Sequence, residues 1–167
     1  SGGEVQFDAA DTGNDARTYQ IAGTGTSDSL TFDLNGVDIG GGAQTITGIE
    51  TLTIATSGTA VLDGTFTMTA TAATEKLVVT GTAGTLTLGN ITADQIDTSG
   101  FTGTSVTMGT LQQVTNFTGG SSAETIVGST AADILNGGAG ADTLQTTVAG
   151  GAASANDIMT GGAGFDT

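Results

Sequence analysis

Polar and apolar residues alternate in short segments that recur at a fixed spacing through the first part of the chain. Each segment places an apolar residue between two hydroxyl residues, and the next step of 20 from the last one reaches Ile126. Met68, Leu88 and Met108 keep the same spacing. Alternation predicts strands with one buried face, and a constant spacing predicts strands stacked in register. The segments are 45–47, 65–67, 85–87 and 105–107.

Three other apolar-rich segments, 30–34, 50–54 and 75–79, predict the opposite wall of the same structure. We therefore expect an all-β parallel β-solenoid, in which residues 26–118 form Thr- and Gly-rich coils of about 20 residues. Residues 1–25 are expected to form an irregular cap or a first coil. The alternative is a β-sandwich with evenly spaced strands.

A second repeat, nine residues long, occupies the C-terminal third. The units 119–127, 128–136 and 137–145 follow one another without a gap, each with Gly first, an acid sixth and an aliphatic residue eighth. Residues 146–151 interrupt the pattern, which resumes at Ala152 and ends with a partial unit at 161–167. Two such units make an 18-residue coil, so both repeats fit one continuous stack.

Composition narrows the possible functions. The chain has 17 acidic residues and two basic ones, for a net charge of −15. This charge disfavours nucleic acid and anionic membranes as partners and favours cations. His and Cys are absent, so the usual general base and the imidazole and thiolate metal ligands are missing. We expect no enzymatic activity. No apolar run is long enough to span a bilayer, and the sequence reads as a piece of a longer protein.

Calcium suits the remaining chemistry, because it binds six to eight oxygen atoms from carboxylates and carbonyls. Gly-rich turns expose backbone carbonyls, and the sixth residue of each unit adds a carboxylate. The unit 137–145, Gly-Gly-Ala-Gly-Ala-Asp-Thr-Leu-Gln, resembles the RTX nonapeptide repeat at every fixed position. The resemblance covers residues 119–167, with Glu124 in place of the usual Asp and Ser129 and Ala131 in place of glycines.

The resemblance implies that turns two units apart stack and share ions. It then pairs Glu124 with Asp142, Asp133 with Asp157, and Asp142 with Asp166. We expect these acids to be calcium ligands together with turn residues that offer backbone oxygens. The turn residues are Gly128, Thr130, Gly137, Gly138, Ala139, Gly140, Gly161, Gly162 and Gly164. Residues 23–31 also place Asp28 in an acid slot, where we interpret it as a solvated loop acid.

Segment 46–54, lying ahead of the repeats, is similar to bacterial surface-layer and related RTX exoproteins. That similarity implies a calcium-dependent structural role outside the cell, with copies of itself or other surface components as partners. We expect the C-terminal third to be disordered without calcium. The alternatives are a carrier module of an enzyme exported by type I secretion, and the stalk of an RTX adhesin.

Overall fold

The computed structural model describes residues 2–7, 17–20, 26–34, 42–57, 60–62, 65–69, 74–82, 84–113, 115–146 and 156–167. These residues form seventeen strands joined by turns. The strands are β1 (Gly2–Phe7), β2 (Arg17–Gln20), β3 (Ser29–Leu34), β4 (Gln44–Thr47), β5 (Thr51–Thr56), β6 (Ala60–Leu62), β7 (Phe66–Thr69), β8 (Lys76–Gly81), β9 (Thr85–Leu88), β10 (Ile91–Thr92), β11 (Gln95–Phe101), β12 (Ser105–Thr110), β13 (Asn116–Thr118), β14 (Ala123–Val127), β15 (Ile134–Gly140), β16 (Thr143–Gln145) and β17 (Ile158–Gly164).

The strands belong to three sheets. The long sheet has the order β1-β3-β5-β8-β11-β13-β15-β17, and all its neighbours are parallel. The N-terminal sheet, β10-β7-β4-β2, and the C-terminal sheet, β16-β14-β12-β9-β6, are also parallel. The chain returns to the long sheet once per circuit, so the predicted parallel β-solenoid is confirmed. A β-sandwich would have required antiparallel neighbours.

The core is built from apolar residues that stack from coil to coil. Alternating strand residues point inward, so β3 and β5 both bury every second side chain. In the long sheet, six successive coils place a buried apolar residue at the same register position. These residues are Leu30, Leu52, Leu77, Ile96, Phe117 and Leu135. This stack passes through residue 118 without a break, so the two repeats form one core.

The constant spacing of 20 residues is right for only part of the stack. Leu86 pairs with Val106 and Leu88 with Met108, as predicted. Ile46 pairs with Met68 rather than with Phe66, and Met68 lies in a different sheet from Leu88. The coils differ in length because their turns differ, and strand pairing follows the inward-facing residues instead of a fixed count.

The last predicted step, from Val106 to Ile126, is also wrong. Val106 pairs with Glu124, and a shift in register between Thr107 and Thr110 then brings Thr110 opposite Val127. The coil from β12 to β14 is therefore 18 residues long at its start, the length of two nonapeptides. An irregularity in the strand pairing absorbs the change from one repeat length to the other.

The ends of the chain follow the same plan where they are described. β1 pairs with β3 and β2 with β4, so the described parts of residues 1–25 form a first coil. Residues 8–16 and 21–25 lie outside the described residues, as do 147–151 of the predicted insertion. Leu135 pairs with Met159 and Gly138 with Gly162, so the stack continues beyond the insertion. No described segment is a helix long and apolar enough to cross a membrane.

Candidate metal centre

Acidic side chains stack along both edges of the C-terminal coils. Asp133 and Asp157 directly precede β15 and β17 of the long sheet. The other three acids lie along the edge of the C-terminal sheet. Glu124 lies in β14, and Asp142 directly precedes β16. Asp166 continues this row, because the amide of the next residue, Thr167, donates to the carbonyl of Asp142. The nonapeptide period places each acid where a turn enters a strand, so coiling brings the acids of successive circuits together.

The three predicted pairs are in contact. The backbone amide of Glu124 donates to Asp142 Oδ1 at 2.9 Å, and that of Asp142 donates to Asp166 Oδ1 at 3.1 Å. On the other edge, the amide of Asp133 donates to Asp157 Oδ1 at 2.9 Å. The carboxylates of Asp142, Asp157 and Asp166 thus each accept, through one oxygen, from the backbone amide of the acid one coil earlier.

Glycines at the first position of three units, Gly128, Gly137 and Gly161, make room for these carboxylates. A Cβ atom added at Gly128 would lie 2.9 Å from Asp133 Oδ2. One added at Gly137 would overlap Asp142 Oδ2 and lie 2.7 Å from the carbonyl oxygen of Gly161. Gly161 has the same relation to Asp166. The backbone therefore passes against the acid five residues later, a distance that only glycine permits.

The rest of each glycine-rich turn also stacks. Gly138 pairs with Gly162, Ala139 with Ala163 and Gly140 with Gly164. Gly138 and Gly162 have φ values of 97° and 109°, which side chains rarely adopt, and this explains the second glycine of the repeat. Ala139 is exposed and its amide donates to the carbonyl of Gly120 at 2.6 Å.

The C-terminal-sheet edge carries buried carboxylate oxygens without partners. Glu124 is 0% exposed and Asp142 is 1% exposed. Glu124 Oε1 accepts from Thr98 Oγ1 and from the amide of Gly120. Glu124 Oε2 and Asp142 Oδ2 have no hydrogen-bond partner among the described residues. A buried charged oxygen without a partner is costly, so these two atoms mark the position where a cation fits.

The repeat region offers no basic side chain to balance the charge at this edge. Residues 118–167 contain five acids and no Lys or Arg. Burial, and after it the adjacent Asp142 carboxylate, raise the pKa of Glu124 to about 8. Glu124 therefore holds a proton near neutral pH when no cation is bound. A raised carboxyl pKa beside a second buried acid is a common sign of a functional site.

The long-sheet edge differs because Asp133 already has partners. Its carboxylate accepts from the amides of Thr115 at 2.8 Å and Ser129 at 2.6 Å, and from Ser129 Oγ. Ser129 stands where the repeat usually has its second glycine, and its hydroxyl group donates to the Asp133 carboxylate. Thr130, predicted to offer its carbonyl, is exposed in the same turn. Asp157 and Asp166 are half-buried at the end of the described stack.

Sequence reasoning missed three residues that bond these acids: Thr98 and Ser129 do so through their hydroxyl groups, and Thr115 through its backbone amide. Of the three, only Thr115 could have been found from the sequence, because it lies one 18-residue coil before Asp133. Within the described ranges no three acidic side chains converge on one point. An ion in these turns would therefore take most of its ligands from backbone carbonyls, which suits calcium, a hard cation with six to eight oxygen ligands.

Comparison with known proteins agrees with this geometry. The profile of the RTX calcium-binding nonapeptide repeat matches residues 118–146 and 152–167, in four copies. No curated protein and no solved structure matched the chain. The matched residues contain all five stacked acids and the four first-position glycines, Gly119, Gly128, Gly137 and Gly161.

Proposed function

We propose that this solenoid, whose residues 118–146 and 152–167 are RTX calcium-binding nonapeptide repeats, is an extracellular structural segment of a bacterial surface layer or cell-surface filament. One observation carries the proposal. Glu124 and Asp142 are buried side by side, each has an oxygen without a partner, and residues 118–167 contain no base. The C-terminal coils therefore need an external cation to be stable.

The ions are held, in this proposal, by the acids in adjacent coils and by the carbonyls of the glycine-rich turns. Glu124 Oε2 and Asp142 Oδ2 are the strongest ligands, because no hydrogen bond competes for them. Calcium supplies positive charge where the protein supplies only negative charge. The carbonyls come from Gly128, Thr130, Gly137, Gly138, Ala139, Gly140, Gly161, Gly162 and Gly164, and the other carboxylates from Asp133, Asp157 and Asp166.

Electrostatics explains why calcium would control folding. Two ionised carboxylates about 4 Å apart repel by roughly 4 kcal/mol at an effective dielectric constant near 20. A domain has only about 5–15 kcal/mol of net stability. Without calcium, Glu124 avoids this repulsion by keeping a proton that the unfolded chain releases, and this costs stability. A bound cation replaces the proton and attracts both carboxylates, so its binding energy becomes folding energy. Residues 118–167 fold when calcium is present and unfold when it is removed.

An extracellular location supports this dependence, because extracellular calcium modules work at dissociation constants of about 10⁻⁴–10⁻³ M. Such a protein would remain unfolded inside the cell and fold after export. The unbroken long sheet suits a structural element, since eight strands at about 4.8 Å spacing extend for roughly 34 Å. Catalysis is assigned to no residue of this chain, which lacks His.

Electron microscopy of the purified chain with calcium and with EGTA tests the assembly role. Ordered sheets or fibres that appear only with calcium support the surface-layer or filament role. Monodisperse particles under both conditions contradict it. They favour the carrier module of a secreted enzyme or the stalk of an adhesin, both of which need calcium for folding but not for self-assembly.

A further inference from the structure

The acidic edge of the long sheet continues far beyond the RTX repeats. In the long sheet, the residue directly before each strand from β3 to β17 occupies the same register position. Six of these seven residues are acids. The seven residues are Asp28, Glu50, Glu75, Asp94, Thr115, Asp133 and Asp157. The upstream half therefore repeats the edge that carries Asp133 and Asp157.

The contact between coils is repeated as well. The amide of Asp28 donates to Glu50 Oε2 at 2.7 Å, just as the amide of Asp133 donates to Asp157. The carbonyl of Asp28 in turn accepts from the amides of Glu50 and Thr51 at 3.0 and 3.1 Å. These bonds fix the Glu50 carboxylate in the turn between β4 and β5.

Glu50 is a buried acid with an open oxygen. Its side chain is 5% exposed, and Oε1 has no hydrogen-bond partner among the described residues. Thr47 Oγ1, at the other end of the same turn, is also buried and without a partner there. Asp28 is 5% exposed, so it is a buried residue and not the solvated loop acid that its sequence context suggested.

The nearest lysine does not neutralise this charge. Lys76, the single lysine of the chain, pairs with Thr51 in the long sheet. Its ammonium group bonds Asp97 Oδ2 at 2.9 Å instead of Glu50. A buried carboxylate with one oxygen fixed and the other open is strongly destabilising unless a cation completes it.

We propose that Glu50 binds a hard divalent cation, calcium in the extracellular medium, in the turn formed by residues 47–50. Glu50 Oε1 is the charged ligand, and Thr47 Oγ1 and turn carbonyls supply neutral oxygens. This site lies outside the RTX repeats and does not depend on the surface-layer role. With fewer charged ligands than an RTX pair it binds calcium more weakly, in the millimolar class.

Hydrogen exchange of the full chain, with peptides covering 26–34 and 42–57, tests the site. Amide exchange at Asp28, Glu50 and Thr51 should slow at least tenfold between EGTA and 10 mM calcium. The same slowing should persist in D142N, which alters only the C-terminal edge, and in D33N, a matched removal of charge from a half-buried acid on β3. It should be lost in E50Q.

Equal exchange at these three amides with and without calcium, in the wild-type chain, overturns the proposal. Slowing that survives in a folded E50Q also overturns it. The wild-type and D142N data decide the question if E50Q does not fold. Peptides within 118–146 report hydrogen exchange of the RTX repeats separately. A failure of the proposed Glu50 site is therefore distinguishable from a failure of calcium binding in the repeats.

Discussion

The backbone amide of Glu124 donates to the carboxylate of Asp142, which lies 18 residues further along the chain and directly above it in the next coil. One oxygen of each carboxyl group is held by the protein, and the other is buried without a partner. The fold thus prepares the site and leaves its charge unbalanced. The proposed calcium dependence rests on this relationship between two residues.

Replacing Asp142 with Asn should have opposite effects with and without calcium. Asn keeps the shape and an oxygen that accepts from the Glu124 amide, but it removes the charge. Calcium affinity should fall roughly tenfold or more, while the folded calcium-free state becomes more stable because Glu124 no longer needs to keep a proton beside a second buried charge. Calorimetric calcium titration measures the first effect, and the strand signal of circular dichroism in EGTA, which reports the folded fraction, measures the second.

The control for D142N is D33N, which removes the same charge from a half-buried acid outside the repeats. It should leave calcium affinity at the C-terminal sites unchanged. If D142N and D33N bind calcium equally well, Asp142 is not a ligand.

The calcium-free protein should lose stability as pH rises from 5.5 to 8. The pKa of Glu124 is about 8 in the folded state, against 4.5 for an ordinary Glu. Between these values the folded chain keeps a proton that the unfolded chain has released, so the free energy of unfolding decreases with pH. The strand signal of circular dichroism in EGTA, which reports the folded fraction, should therefore be weaker at pH 8 than at pH 5.5.

E124Q should remove most of that pH dependence, since Gln does not titrate. Calcium affinity of the wild-type chain should rise over the same interval, because the ion displaces the Glu124 proton. A calcium-free stability that increases between pH 5.5 and 8 would be incompatible with a protonated Glu124.

Gly137→Ala should damage the central site by steric overlap. The added methyl group would overlap Asp142 Oδ2 and lie 2.7 Å from the Gly161 carbonyl oxygen. Forcing an atom into packed structure costs about 1–3 kcal/mol. Thermal unfolding in calcium should show this loss, whereas A141S, at an exposed neighbouring position, should unfold like the wild-type protein.

Sequence pattern predicted the solenoid and the acid pairs because both depend on short, strict periods. A nonapeptide fixes Gly128 and Asp133 at one spacing, and two units fix the stacking of Glu124 on Asp142. The upstream register was less predictable. Ile46 stacks on Met68 because turn length varies between coils, and inward-facing side chains determine the pairing.

The residues that complete the acidic edges were also hidden from sequence reasoning. Ser129 breaks the repeat, yet its hydroxyl and amide bind Asp133. Glu50 belongs to no repeat unit, and only strand pairing shows that it shares a register position with Asp133. Residues such as Ser129 and Glu50 do not recur at a fixed spacing in the sequence, so their contacts with the acids are visible only in the structure.

Truncating Phe117 should destabilise both parts of the solenoid. Phe117 is fully buried between Ile96 and Leu135, where the 20-residue coils meet the nonapeptide coils. Phe→Ala in a core costs about 3–5 kcal/mol, and stacked repeats transmit such a loss to their neighbours. In calcium, F117A should raise hydrogen exchange on both sides of residue 117. Faster exchange on one side alone would mean two independently folding units.

The most direct test is the exchange rate of the Glu124 backbone amide, measured by NMR in EGTA and in 10 mM calcium. This amide is covered by Asp142 Oδ1 at 2.9 Å in the folded coil. Exchange should be close to that of an unfolded chain in EGTA and at least a hundredfold slower in calcium. Strong protection in EGTA, unchanged by calcium, would contradict it.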